Sequence, residues 1–268
     1  MPGYVHLRAH SAYSLLEGAL QLGKMIDLAV ADAQPALGIA DRNNLFGALE
    51  FSEKASGKGL QPIVGTSLSV EFEEPNQLAR PAARAVLPSL VLIATSEDGY
   101  TNLSRLVSHA WLSGDGTSDP CVSVDKLAEL SGDIIALTGG PEGPVDRQLV
   151  ARNLSGAREI MERLARIFPD RLYVELQRHG TEAERIAEAG LVTLAYEMGL
   201  PLVATNQPFF ARRDDFAAHD ALICIAQGRM VLDDQRRQLT EEHYFKSRAE
   251  MMELFSDLPE ALASTVEI

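Results

Sequence analysis

Short apolar runs alternate with stretches of helical period along almost the whole chain. Tyr4 to Arg8 predicts a first strand, and Leu22, Met25, Ile26, Ala29 and Ala33 recur behind it at the spacing that puts them on one helix face. Pro35 ends that helix, because its ring has no amide donor and crowds the preceding turn. Ala36 to Asp41 predicts the second strand, followed by a helix from Phe46 to Ala55 that stops near Gly57-Lys58-Gly59. Ile63 to Phe72, with Val64, Leu68 and Val70 as bulk suited to a pleated surface, predicts the third. Glu73 to Pro88 holds three prolines and several alanines and is expected to be an inserted loop.

The alternation continues to the end of the chain. Leu90 to Ala94 predicts a fourth strand, Tyr100 to Trp111 a helix, Ser113 to Pro120 a polar loop, and Ile134 to Leu137 a fifth strand. Ser155 precedes a helix with Ile160, Leu164 and Ile167 on one face, and Leu172 to Leu176 predicts the sixth strand. Thr181 and Glu184 have the spacing at which a hydroxyl and a carboxylate satisfy the free amides of a helix start. That helix carries Ile186, Leu191, Leu194 and Met198 and should stop at Gly199, which tolerates the left-handed capping conformation. Leu202 to Thr205 predicts the seventh strand, and a helix is expected from Asp214 to Ile225. Ser247 with Glu250 opens another helix, and Asp257, Pro259 and Glu260 combine a cap, an early proline and a returning carboxylate. The pattern is still helical at Ile268, so a longer polypeptide is expected to continue from there.

Strands alternating with helices predict the α/β class with a parallel sheet, closed into a barrel or open. Neither a Gly-x-Gly-x-x-Gly fingerprint after the first strand nor a phosphate loop ending in Gly-Lys-Ser/Thr is present, which leaves nucleotide binding by either device unsupported. In a barrel the site lies at the carboxyl ends of the strands. Those ends carry His10, Asp41 with Arg42, Ser67, His179, and Asn206 with Gln207.

Composition narrows the reading. The 268 residues are 46% hydrophobic and 23% charged, ordinary for a folded soluble chain and enough to bury a large core. A net charge of −14 disfavours broad adhesion to nucleic acid. Cys121 and Cys224 alone exclude a disulfide framework and a thiolate zinc cluster, and suit a reducing compartment. The first residues lack a basic head followed by an apolar stretch, and no run approaches the roughly 18 apolar residues that span a bilayer, so a cytoplasmic location without membrane contact is expected.

His and Asp ligate divalent metals, whereas Arg, permanently charged and without an acceptor, does not. The plainer roles are equally available at this point. His10 can be a hydrogen-bonded core residue, and Asp41 can cap the turn Arg42-Asn43-Asn44. His6, His109, His219 and His243 have no partner assignable from sequence and are read as ordinary polar residues.

Several segments resemble one family in order along the chain. His6-Leu7-Arg8-Ala9-His10-Ser11-Ala12-Tyr13-Ser14-Leu15-Leu16-Glu17-Gly18 is similar to the opening of bacterial replicative DNA polymerase III alpha subunits. The likeness continues through Ile39 to Gly47, Gln61 to Gly65, Gly99 to Leu103, Glu175 to Gly180, Val203 to Asn206 and Ala218 to Asp220. The resemblance implies the polymerase-and-histidinol-phosphatase (PHP) domain, whose fold is a distorted seven-stranded (β/α)7 TIM-like barrel. It would occupy residues 1–246, with 247–268 a helical segment leading into a polymerase core beyond Ile268.

In metal-binding relatives the barrel holds a metal cluster on His, Asp and Glu ligands. Matched by motif, those positions fall on Arg8, His10, Asp41, Arg42, Ser67, Ser89, His179, Gln207 and Phe209. Only His10, Asp41 and His179 keep ligand chemistry. Two guanidiniums would stand where dications belong, and Arg8 or Arg42 is expected to pair bidentately with Asp41 and fill the cleft. The expected pocket is therefore polar, plugged and without cofactor or metal. The alternative is one zinc on the surviving trio and a residual metal-dependent phosphoesterase or 3′-exonuclease.

The resemblance implies structural support for the remainder of the alpha subunit and docking of the proofreading exonuclease (epsilon) subunit. DNA would be engaged through the full-length polymerase. Single-stranded DNA contact by Arg147 with Arg152, or by Arg236 with Arg237, is the competing role for the surface arginines.

Overall fold

The computed structural model describes residues 3–72, 87–114, 119–233 and 236–268. Most of the inserted loop expected at Glu73 to Pro88, and part of the loop expected at Ser113 to Pro120, lie outside the described residues.

The sheet contains β1 (Ala36–Arg42), β2 (Gln61–Glu71), β3 (Ser89–Ala94), β4 (Val122–Ser123), β5 (Ile134–Leu137), β6 (Leu172–Leu176) and β7 (Leu202–Ala204). Its order is β1-β2-β3-β5-β6-β7, with the two-residue β4 paired to the end of β2. The helices are α1 (Leu22–Ala31), α2 (Ala48–Ser56), α3 (Glu97–Leu112), α4 (Val124–Glu129), α5 (Pro144–Val150), α6 (Leu154–Ile167), α7 (Glu182–Met198), α8 (Phe216–Gln227), α9 (Arg248–Leu254) and α10 (Pro259–Glu267). The sheet curls into a distorted (β/α) barrel of the expected class.

Two expectations about the strands need correction. The sheet is not wholly parallel: β3 runs antiparallel to both β2 and β5, while β1 and β2, β5 and β6, and β6 and β7 pair in parallel. Hydrophobic pattern specifies which residues a strand buries but not its direction, because both directions share the two-residue period. The reversal brings the first residue of β3, Ser89, to the rim where the parallel strands end.

Tyr4 to Arg8 is also not a regular strand. It is extended and joins β1 through one bridge, Ala9 with Ile39, and through hydrogen bonds from Ala9 N to Gly38 O and from Gly38 N to His6 O. Gly38 permits this approach: a Cβ there would lie 2.6 Å from Leu7 O. On its other side the segment is tied to the residues after β7, with the Tyr4 hydroxyl accepting from Asn206 N at 3.2 Å and His10 N donating to Pro208 O. The N-terminal segment thus stands between β1 and β7.

Alternate strand residues separate an inner core from two outer ones, the smaller of which packs Leu37 and Ile39 against α1 and α2. Val5, Leu7, Ala40, Val91, Ile93, Leu137 and Val203 form the inner cluster. Leu68, Val70, Leu90, Leu92, Ala136, Val174 and Leu176 join the larger cluster with residues of α3, α6 and α7. The expected capping boxes at Thr181/Glu184 and Ser247/Glu250 are present, and Gly199 adopts φ +64° at the end of α7. Asp257 does not cap α10: Leu258 occupies that position, and Asp257 accepts from Arg178 at 2.6 and 2.8 Å. Segment 247–268 contributes Met251, Phe255, Ala261 and Leu262 to the main core, and Thr265 Oγ1 accepts from Val5 N.

Candidate functional site

The rim at the carboxyl ends of the parallel strands centres on Arg8, whose side chain has no exposed surface. Its Nη1 donates to Gly139 O at 2.9 Å and to both Glu175 oxygens at 3.1 and 3.2 Å, while Nη2 donates to Glu142 at 3.1 Å. Glu175, on β6, also accepts from Gly139 N at 3.0 Å, from Gln177 Nε2 at 3.0 Å, and from the Thr205 hydroxyl. Gly139, at φ +92°, lets this turn press on the sheet, since a Cβ would stand 2.0 Å from Ser89 O. The result is a buried, multiply bonded ion pair of the kind that low dielectric makes costly to break.

Asp41 is not paired with either arginine, contrary to the expected plug. It accepts from Ser11 N and Ser11 Oγ, each at 2.7 Å, and from Ser14 Oγ at 2.6 Å. Burial pushes its carboxyl up despite those donors. Arg42 instead faces Glu17 at 3.7 Å and Glu142 at 3.9 Å. The strand period explains the difference: the two consecutive residues project to opposite faces, Asp41 toward the turn 11–14 and Arg42 toward the mouth.

His10 is buried, stacked on Phe209 with parallel rings 4.7 Å apart. Gln207 Nε2 donates to its Nε2 at 2.9 Å and also reaches Glu142 at 3.2 Å. The amide nitrogen can only donate, so His10 carries its proton on Nδ1, which lies 3.1 Å from Ser14 Oγ. Burial, reinforced by Arg8, lowers the His10 pKa to about 3.

His179 has Nδ1 2.8 Å from Glu184 and Nε2 3.0 Å from Asn206 Oδ1, whose amide nitrogen in turn donates to Tyr244 O. Its ring stacks on His243 at 3.9 Å. Three histidines read as ordinary polar residues are in fact buried with definite partners. His6 Nε2 meets Lys246 O at 2.8 Å, His219 Nε2 meets Glu17 O at 2.6 Å, and His243 packs on His179. Their neighbours come from sequence positions too distant for local pattern to reveal.

Glu142 collects the remaining cations. Arg237 reaches it at 2.9 Å and Glu17 at 3.1 Å, so Arg8, Arg42 and Arg237 converge on one carboxylate. Burial raises the Glu142 pKa, but the three guanidiniums outweigh burial and hold it well below the carboxylate range. Arg236 is clamped on Asp220 at 2.5 and 2.7 Å, and Arg147 donates to Leu87 O. Of the proposed DNA-contacting arginines, Arg236 and Arg237 are therefore committed to carboxylates. Sequence reasoning missed Glu142, Glu17, Ser11 and Ser14 as site members. Glu175 could have been flagged, since a charge within Leu172-Tyr173-Val174-Glu175-Leu176 must be compensated once the strand is buried.

The residues present do not fit a metal cluster. Both ring nitrogens of His10 and of His179 and both oxygens of Asp41 already face protein partners. Among the described residues no three His, Cys, Asp or Glu side chains are grouped so as to hold a metal ion. Ser67 and Ser89 lie buried on β2 and β3, their hydroxyls without a hydrogen-bond partner among the described residues.

A curled β/α barrel with this arrangement at its strand ends defines the class, and the PHP domain profile matches residues 6–179. The chain belongs to the PHP domain family. It is 47% identical over 266 residues to DNA polymerase III subunit alpha of Caulobacter vibrioides, a match covering 99% of this chain and 23% of that protein. The DNA polymerase III subunit alpha of Escherichia coli is 38% identical over 269 residues, covering 100% of this chain and 22% of the relative. The chain thus spans between a fifth and a quarter of the length of these relatives. Among solved structures, an amidohydrolase from Chromobacterium violaceum overlays with a TM-score of 0.48 at 14% identity, covering 76% of this chain and 87% of that one. That likeness is too loose to carry function.

Proposed function

We propose that the chain is a catalytically silent PHP domain of a replicative DNA polymerase alpha subunit, which supports the polymerase and docks the proofreading exonuclease subunit. The observation that carries the reading is Arg8, held by Glu175 and Glu142 where relatives of the family place metal ligands. A fixed cation there opposes binding of dications, and no second metal could be held to clamp both the attacking and the leaving oxygen of a phosphoester.

In this reading residues 1–246 form the barrel and 247–268 lead toward the rest of the polypeptide. No described helix is long and apolar enough to cross a membrane. The domain works in the cytoplasm and meets DNA only through the complete polymerase.

Two measurements test it. Elemental analysis of the purified protein, with phosphoesterase and 3′-exonuclease assays in added manganese or zinc, should give no stoichiometric metal and no turnover. Metal lost on His179→Ala, or turnover abolished by it, would overturn the silent site in favour of a residual enzyme on His10, Asp41 and His179. Co-elution of the folded chain with the cognate exonuclease at micromolar concentration tests docking, and its absence would remove that part.

A further inference from the structure

Beside the arginine and glutamate network opens a cleft of about 340 Å³ lined by Leu15, Glu17, Phe46, Trp111 and Asp119 with Asn43. Leu15, Phe46 and Trp111 are exposed by 67%, 58% and 53%, and hydrogen bonds hold the supports of the two rings in place. The chain's one tryptophan donates from Nε1 to Asn43 O at 2.7 Å, which fixes the ring at the cleft wall. Asn44 accepts from Phe46 N at 3.1 Å and donates to Tyr13 O and Arg42 O, holding the turn that carries Phe46. Leu15 precedes Leu16, which sits at φ +62°, a conformation that leucine adopts only at a cost of about 1 kcal/mol. Solvated apolar groups on a strained turn and on rigid supports mark a surface meant to be covered.

Charge selects what covers it. Arg42 and Arg237 line the cleft but are neutralised by Glu17 and Glu142. Asp119 forms no ion pair among the described residues and is exposed. The lining sets three carboxylates, Glu17, Asp119 and Glu142, against two guanidiniums, so the cleft disfavours phosphate and attracts a cation. Two aromatic rings beside a carboxylate also suit an ammonium or guanidinium carried next to an apolar group.

We propose that this cleft is a docking surface for a polypeptide segment that inserts an aliphatic or aromatic anchor among Leu15, Phe46 and Trp111 and sets an adjacent lysine or arginine against Asp119. This goes beyond exonuclease docking, because it specifies the chemistry of the docked segment and not which protein carries it.

The test uses the full chain and two pools of short synthetic peptides, one with Leu or Phe flanked by Lys and Arg, the other identical except for Glu at each basic position. Trp111 emission and backbone amide shifts are followed during titration. The basic pool should move Trp111 emission to shorter wavelength and perturb Leu15, Phe46 and Asp119, and the acidic pool should not. Asp119→Asn should weaken binding about five-fold, as expected for a surface charge pair. Leu15→Ser and Phe46→Ser should abolish binding while leaving the circular dichroism spectrum unchanged, since both side chains are already solvated. Equal response to both pools, no response to either, or perturbations confined to another face would overturn the proposal. So would an oligothymidylate that binds at these residues, because the cleft would then be an anion site.

Discussion

Arg8 and Glu175 meet inside the barrel with neither side chain exposed, the guanidinium 3.1 and 3.2 Å from the two carboxylate oxygens. Removing one partner leaves the other charged and buried, which typically costs about 3–5 kcal/mol. Arg8→Met and Glu175→Gln are each expected to lose stability of that order in urea denaturation. The double variant should lose clearly less than the sum, because neither charge is then stranded. Additive losses would mean that the two residues act independently.

Acid should unfold the protein through its histidines. Burial holds His10 at about 3 and His6 at about 4, and burial with neighbouring His179 lowers His243. In the unfolded chain these groups titrate near about 6.5. Below that pH the unfolded state takes up protons that the folded state refuses, so their stabilisation is full above about pH 6.5 and is lost progressively toward about pH 4. Asp146, which burial and then Glu175 push up, acts in the opposite sense. Denaturation midpoints should therefore fall across this window, and more steeply in an Asp146→Asn background. Midpoints constant from about pH 7 to about pH 5 in both proteins would contradict the assignment.

Gly139→Ala should be among the most damaging small substitutions. The position combines φ +92° with a Cβ site 2.0 Å from backbone at Ser89. Relief would require moving the turn that binds Arg8 and Glu175. A loss above about 3 kcal/mol, or recovery only as aggregate, is expected. A thermal midpoint matching the parent would show that the turn relaxes freely.

Arg178 should govern how firmly the last two helices are attached. It contacts Glu188 on α7, Asp257 and Leu254 O beyond and within α9, and lies over the Phe255 ring at 4.6 Å. Arg178→Ala should cost about 1–2 kcal/mol, discounted because Asp257 is solvated. Hydrogen exchange should accelerate in 247–268 and stay unchanged at β1. Uniform acceleration would indicate that the segment unfolds only with the whole barrel.

Much of the architecture was legible in the sequence. The runs at 36–41, 134–137, 172–176 and 202–205 and the caps at Thr181, Gly199 and Ser247 are local matters of period, propensity and hydrogen-bond satisfaction, and they appear where expected. Of the motif positions, His10 touches Gln207 and Phe209, and Arg8 and Arg42 meet at Glu142. The irregular first segment and the reversed β3 were not legible, since an extended run looks the same whatever partner or direction it takes.

By itself, then, the sequence determined the β/α alternation and the family. Only the tertiary structure decided the pairing. Asp41 went to Ser11 and Ser14, Arg8 to Glu175 and Glu142, and Gln207 to His10. Buried charges and polar groups must find partners, but which partner is set by the strand face and turn that bring two distant residues within about 3 Å, and that proximity has no local signature in the chain.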